Sequence, residues 1–244
     1  MLTPRTLLTA TLCLACAGAA AQPFRDRHTA VTPQNFDSGG AVSRQFHLHA
    51  PVYRYQATVP RTAPARVLPQ APDDALAAAP VTHRGGTSSF ADYVAGDALL
   101  DGVLVLHRGA IAFEAYPHME PWQRHFAWSV SKVLTATTLA TLVREGMVAM
   151  DAPVERYLPA LAGSAWAGTP LQAIADMGSG IDCLDSDGYQ DPETCIYRLE
   201  ESLDITAPTG RDSNLLAELK AMTRRGPPGA RNEYVSANTA VLGL

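Results

Sequence analysis

Lysine is nearly absent from this chain. Of 19 basic residues in 244, only Lys132 and Lys220 are lysines and the rest are arginines. The net charge of -5 argues against a nucleic-acid partner, so none is expected. Long apolar runs are missing too. The stretch from Leu7 to Leu14 is the most continuous near the start, and it is too short to cross a bilayer, so no stable membrane span is expected. Cysteine is scarce: Cys13, Cys16, Cys183 and Cys195 are all there is. No histidine lies near Cys183 or Cys195, which argues against a metal site there. No Gly-x-Ser-x-Gly elbow occurs, which excludes the familiar strand-turn-helix setting of a Ser-His-Asp nucleophile.

The first residues have the pattern of an export leader. Arg5 gives a positive start, Leu7 to Leu14 an apolar core, and Ala19-Ala20-Ala21 a small-residue cleavage site. Residues 1–21 are therefore expected to be a signal peptide, and the mature protein to be periplasmic or secreted. A lipoprotein signal at Cys16 ranks second, because Cys13 stands where such signals carry leucine. In an oxidising compartment Cys183 and Cys195, twelve apart, are either a disulfide or two free thiols.

Residues 22–95 read as an extended N-terminal segment. Prolines 60, 64, 69, 72 and 80 break the stretch from Ala57 to Pro80, so no long helix fits there. The alternation His47-Leu48-His49 could put two imidazoles on one side of a strand; with no third ligand nearby in sequence, a solvated or satisfied pair is favoured over a metal site. Arg84 to Ser89 reads as a turn, followed by a short helix from Phe90. Clear periodicity begins with Gly102 to Leu106 and Ala110 to Tyr116, two apolar runs joined at His107-Arg108-Gly109, the pattern of a β-hairpin. A helix is expected from Ser129 to Glu145, stopped by Gly146. Further helices are expected after Asp151-Ala152-Pro153, from Leu171 to Met177, around Asn214 to Met222, and beyond Tyr234.

The helix from Ser129 carries the chemistry. Ser129 and Lys132 are three apart, close to one turn, so their side chains share a face. A serine hydroxyl needs a base to become a nucleophile, and a lysine amine serves if its pKa falls below the free value of about 10.4. The apolar residues Val133, Leu134, Ala136 and Leu139 and the helix N-terminus both disfavour the charged ammonium. Arginine is effectively never deprotonated, so a lysine placed here in an arginine-rich chain is chemically informative. The bland alternative is a capping serine with a snorkelling lysine.

Four signals in order carry a resemblance. They are Ser129-Val130-Ser131-Lys132; Gly146 to Val154 followed by Tyr157-Leu158-Pro159; Met177-Gly178-Ser179-Gly180-Ile181-Asp182; and Tyr234-Val235-Ser236-Ala237-Asn238. From about Asp101 onward the chain resembles serine hydrolases of the class C β-lactamase and penicillin-binding-protein superfamily. The Tyr-x-Ser-Ala-Asn form is most like the 6-aminohexanoate-dimer hydrolase-like branch. The resemblance implies an α+β fold, a β-lactamase/transpeptidase-like α/β sandwich with an all-helical region, occupying residues 96–244. It implies that Ser129 is acylated and its N–H helps form the oxyanion hole, that Lys132 takes the serine proton, and that Tyr234 shuttles a proton to the leaving group. Ser236 would orient Lys132 or the substrate. No cofactor or metal is implied. The substrate would be a small amide, ester or β-lactam.

The family's third motif, a Lys or His, then a small residue and Gly, follows the Tyr motif on a later strand and supplies a second oxyanion donor. Only ten residues follow Tyr234 here, and none fits. The chain is therefore expected to be C-terminally truncated relative to the family, with one side of the central helix uncovered. Three readings follow: an exported hydrolase of amides or esters; a β-lactamase or D,D-peptidase acting on cell-wall-type substrates; or an inactive fragment or binding module.

Overall fold

The computed structural model describes residues 31–53 and 62–244. The expected leader, with Cys13 and Cys16, lies outside the described residues.

The first element corrects the sequence reading. Helix α1, Gly40–Tyr53, occupies part of the segment expected to be extended, so His47 and His49 lie on a helix rather than a strand. The helix is kinked at His49 (φ -128°, ψ 23°), two residues before Pro51, which has no N–H for the helical ladder. The alternation of two histidines misled because α1 is held by aromatic contacts that no local pattern reveals. Phe36 and Phe46 are buried, with ring centroids 5.0 Å apart, and Phe46 lies 5.2 Å from Phe126.

The proline-rich stretch does run extended for part of its length. Residues 69–73 lie parallel to a later strand, with Ala71 N–H donating to Ile111 O (2.9 Å) and Ile111 N–H to Pro69 O (2.8 Å). A single short helix, α2 (Asp74–Ala77), follows, capped by the Asp73 carboxylate accepting from Ala75 and Leu76 N–H. Arg84 to Ser89 is more than a turn: β1 (Pro80–His83) and β2 (Gly86–Ser89) form an antiparallel hairpin. Ser89 then caps α3 (Phe90–Gly96) by accepting from Asp92 N–H.

Strands β3 (Val103–His107) and β4 (Ala110–Ala115) form the expected hairpin, with a register shift between Val105 and Leu106. Arg108 (φ 52°) and Gly109 (φ 81°) both turn left-handed, the geometry of a two-residue turn that matches strand twist.

A 3-10 turn, Trp128–Ser131, leads into α4, Lys132–Arg144. Gly146, at φ 73°, ends the run. Of α4 only Leu139 is buried, whereas Val130, Val133 and Leu134 are 72%, 62% and 71% exposed.

The main core lies in the helical region. It gathers Val154, Leu161, Trp166, Ile174, Ile181 and Leu219, all fully buried. The Trp166 indole satisfies its N–H on Leu219 O at 2.8 Å, so a large apolar body is buried without stranding its donor. Around this core pack α5 (Leu171–Ala175), α6 (Cys195–Ser202), α7 (Leu215–Ala221) and α8 (Ser236–Leu242). The helix expected at Asp151 begins instead as a 3-10 turn at Val154–Arg156, because Pro153 keeps an extended backbone. Helix α6 falls in a stretch where the sequence reading places no helix. Its Ile196 and Leu199 are buried, and Thr194 caps it by accepting from Tyr197 N–H. Cys183 and Cys195 are joined as a disulfide that ties the loop before α6 to the core. The architecture is α+β, with hairpins on one part of the chain and a helical region on the other.

Candidate active site

The chain enters the Ser129 segment through an unusual residue. Trp128 has φ 44°, left-handed backbone that costs a bulky residue of order 1–3 kcal/mol. Its side chain is gripped on three sides. The indole N–H donates to His47 Nε2 at 2.8 Å, Phe36 stacks at 5.7 Å, and Phe126 meets it edge-on at 4.9 Å. Phe126 N–H donates to His47 O at 2.8 Å, so α1 holds this segment by backbone as well. The left-handed residue turns the chain sharply into the 3-10 turn that presents Ser129.

Lys132 Nζ lies 2.7 Å from Ser129 Oγ, a hydrogen bond between the two residues of the Ser-x-x-Lys pair. The same amine lies 5.1 Å from the centroid of the Tyr234 ring. Tyr234, distant in sequence, is thus brought to the Ser129–Lys132 pair. The amine meets the face of the ring, so proton exchange with the phenol requires a shift of one side chain along the other. One expectation fails. Val133 and Leu134, expected to desolvate the amine, point into solvent and form no apolar shell over it.

The Tyr234 segment is seated by two others. Glu233 N–H donates to Met177 O (2.8 Å) and Gly229 N–H to Gly178 O (2.7 Å). Gly180, at φ 72°, lies so close to Gly226 that a Cβ would come within 2.1 Å of its carbonyl oxygen. That close approach explains the glycine in Met177-Gly178-Ser179-Gly180. On the other side stands Asp185, which sequence reasoning did not single out. It accepts from Ser236 N–H (2.7 Å), Ser236 Oγ–H (2.5 Å) and Tyr189 O–H (2.6 Å). Ser236, expected to orient Lys132 or the substrate, donates its hydroxyl to Asp185. Burial and the hydrogen bond to Asp185 push the Tyr189 phenol well above its ordinary value, so it stays a donor.

A cavity of about 970 Å³ opens beside Ser129 and Lys132. Tyr189 and Ser236 line it from the helical region, and Phe36 and Trp128 from the α1 side.

His47 has partners that the sequence hid. Among the described residues, His47, Asp101 and His125 bring ligand atoms within 4.8 Å of one another. Their existing contacts describe a hydrogen-bonded network. The His47 Nε2 lone pair is used by Trp128. Arg44 Nε donates to Asp101 Oδ1 at 2.5 Å, placing a cation where a metal would compete. His125 turns Nδ1 to Phe126 O (2.9 Å) and Nε2 to Asp101 Oδ2 (3.0 Å), so both ring nitrogens face acceptors. Burial alone would raise the Asp101 carboxyl, but Arg44 and His125 outweigh it and hold it below the usual range. Burial, and then the neighbouring His125, lower His47, against opposing pulls from Asp101 and Asp37.

An α+β fold with a Ser-x-x-Lys pair at a helix start and a Tyr-x-Ser segment facing it defines the class. Residues 87–244 match the Beta-lactamase family, and the chain belongs to that family. A 6-aminohexanoate-dimer hydrolase of Paenarthrobacter ureafaciens is 33% identical over 145 residues, 58% of this chain and 36% of that protein. A solved structure, a putative 6-aminohexanoate-dimer hydrolase from Bacillus anthracis, superimposes with a TM-score of 0.71 at 20% identity, over 87% of this chain and 56% of its own. That likeness shows a β-lactamase/transpeptidase-like fold. The chain spans about a third of the curated relative it matches and about half of the solved one.

Proposed function

We propose that this chain carries the nucleophile-bearing part of a serine hydrolase that cleaves a small amide or ester through an acyl-enzyme on Ser129. The observation that carries the reading is the 2.7 Å contact between Lys132 Nζ and Ser129 Oγ, in a chain of the Beta-lactamase family. With the amine neutral, Lys132 accepts the hydroxyl proton as Ser129 Oγ attacks the carbonyl carbon. As the tetrahedral intermediate collapses, the bond to the leaving nitrogen or oxygen breaks. Tyr234, beside the amine, passes a proton to the departing group. Water then attacks the acyl-enzyme by the reverse sequence and frees Ser129. An amide of the 6-aminohexanoate-dimer type is the first substrate to try, because the curated relative with that name is 33% identical over the matched residues.

The protein is proposed to act outside the cytoplasm. The leader-like start and the bonded Cys183–Cys195 pair support this.

A fluorophosphonate probe tests the assignment. It should label the wild-type protein at Ser129 and leave Ser129→Ala unlabelled. Labelling that persists in the alanine variant, or that maps to Ser131, removes Ser129 from the role.

A further inference from the structure

Helix α8 starts at Ser236, two residues after Tyr234. The first N–H groups of any helix lack partners within it, and a polar side chain just before the helix normally supplies one. Here that position is Val235, which has nothing to offer. The acceptor arrives from 51 residues earlier: Asp185 Oδ1 takes Ser236 N–H and Oδ2 takes the Ser236 hydroxyl. Asp185 also donates its own backbone N–H to Tyr234 O at 3.2 Å. One residue thus grips the chain on both sides of Val235, at the carbonyl of Tyr234 and at the N–H and hydroxyl of Ser236.

Asp185 is only 7% exposed. A carboxylate is buried at such a place only if its oxygens are satisfied, and charge-assisted bonds of 2.5–2.7 Å from three donors do so. The third donor, Tyr189, comes from the same disulfide-closed loop and braces the carboxylate from behind.

We propose that Asp185 is a positioning residue for Tyr234. It fixes the Tyr234-Val235-Ser236 turn so that the phenol ring stays against Lys132 Nζ, and it touches neither Ser129 nor substrate. Ser236 serves as the handle through which Asp185 acts. This rests on the reading of Tyr234 as the proton donor to the leaving group.

Leaving groups separate positioning from simple bracing. An amine leaves only with a proton, whereas p-nitrophenolate leaves without one. Asp185→Asn in the full-length protein should therefore lower kcat for an amide by about 10- to 100-fold. It should change the acylation rate of the p-nitrophenyl ester of the same acid, read as the burst of p-nitrophenolate before the acyl-enzyme turns over, by less than about 3-fold. Ser236→Ala, which removes one bond of the grip and leaves the carboxylate partnered, should show the same selectivity in weaker form. It remains informative if Asp185→Asn fails to fold. Tyr234→Phe should share the selectivity, and the double variant Asp185→Asn/Tyr234→Phe should be no worse than Tyr234→Phe alone. Parallel losses on amide and ester in both Asp185→Asn and Ser236→Ala would reduce Asp185 to a structural brace and overturn the proposal. If Tyr234→Phe itself spares the amide, the shuttle reading falls and this proposal with it. If Tyr234→Phe is selective and the Asp185 and Ser236 variants are not, the proposal alone falls.

Discussion

The indole N–H of Trp128 donates to Nε2 of His47 at 2.8 Å, and Trp128 is the left-handed residue that immediately precedes Ser129. The strain at Trp128 is thereby offset by a helix more than 80 residues earlier in the chain. Only neutral His47 can accept that bond. Because its folded pKa is lowered, chiefly by burial, the imidazole stays neutral somewhat below its ordinary 6.5. The sign follows from proton counting. Between 6.5 and the lower folded value the unfolded chain binds more protons, so stability is full above 6.5 and is lost as pH falls through this window. His125, Asp101 and Asp37 act on the ring and set where the window ends, and Arg44 bonds to that Asp101. Thermal melts at pH 7.5 and 5 should show a loss in the wild type that is smaller in His47→Gln, whose carbonyl oxygen still accepts from the indole. His47→Phe, which cannot accept, should slow acylation at every pH. Equal pH dependence in wild type and His47→Gln would remove His47 as the titrating group.

Lys132 is expected to act through its amine rather than its charge. Lys132→Arg keeps a cation near Ser129 but not a group that can give up and regain a proton. Both Lys132→Arg and Lys132→Ala should therefore lower kcat/KM by about 100-fold or more. An arginine variant that keeps most of its rate would leave Lys132 as a structural cation.

The parts of this site that sequence revealed are those with a local period or spacing. Ser129 and Lys132 are three apart, the β3–β4 hairpin alternates on either side of a Gly turn, and Gly146 stops α4 where expected. The parts it concealed are held by contacts distant in sequence. Asp185 lies in an acidic, aperiodic loop, and its importance comes from Ser236, 51 residues later. His47 gave a strand-like alternation, while its helix is fixed by Phe46 packing on Phe126. Trp128 looks like an ordinary apolar residue before a helix; its positive φ is a product of the tertiary grip.

Reduction of the Cys183–Cys195 bond should weaken the Tyr234 side of the site in particular. The bridge closes a short loop, and in the chain-entropy view its loss costs up to about 3 kcal/mol. The loop it closes carries both Asp185 and Tyr189. A reduced and alkylated protein, or Cys183→Ser/Cys195→Ser, should melt at lower temperature. Where still folded, it should lose amide turnover more than fluorophosphonate labelling of Ser129, because labelling needs no proton donor for its leaving fluoride. Equal loss of both would mean that the bridge supports the whole domain rather than this loop.

The last expectation concerns the uncovered stripe on the nucleophile helix. Val130, Val133 and Leu134 fall at i, i+3 and i+4, one face of the 3-10 turn and α4, and all three are more than 60% exposed. On the hairpin, Leu104 and Leu106 are about half exposed as well. Water contact over that much branched aliphatic surface is unfavourable by roughly 1.5–3 kcal/mol per side chain relative to burial. Contiguous apolar surface of this kind drives association. The 244-residue chain by itself should therefore associate with second copies of itself. Light scattering should report species larger than a monomer, and Val133→Thr/Leu134→Gln should shift the distribution toward monomer without lowering the melting temperature, since neither side chain is buried. A monodisperse wild-type monomer would show that this stripe is tolerated in water. A double variant that unfolds would show that Val133 and Leu134 contribute to the fold despite their exposure.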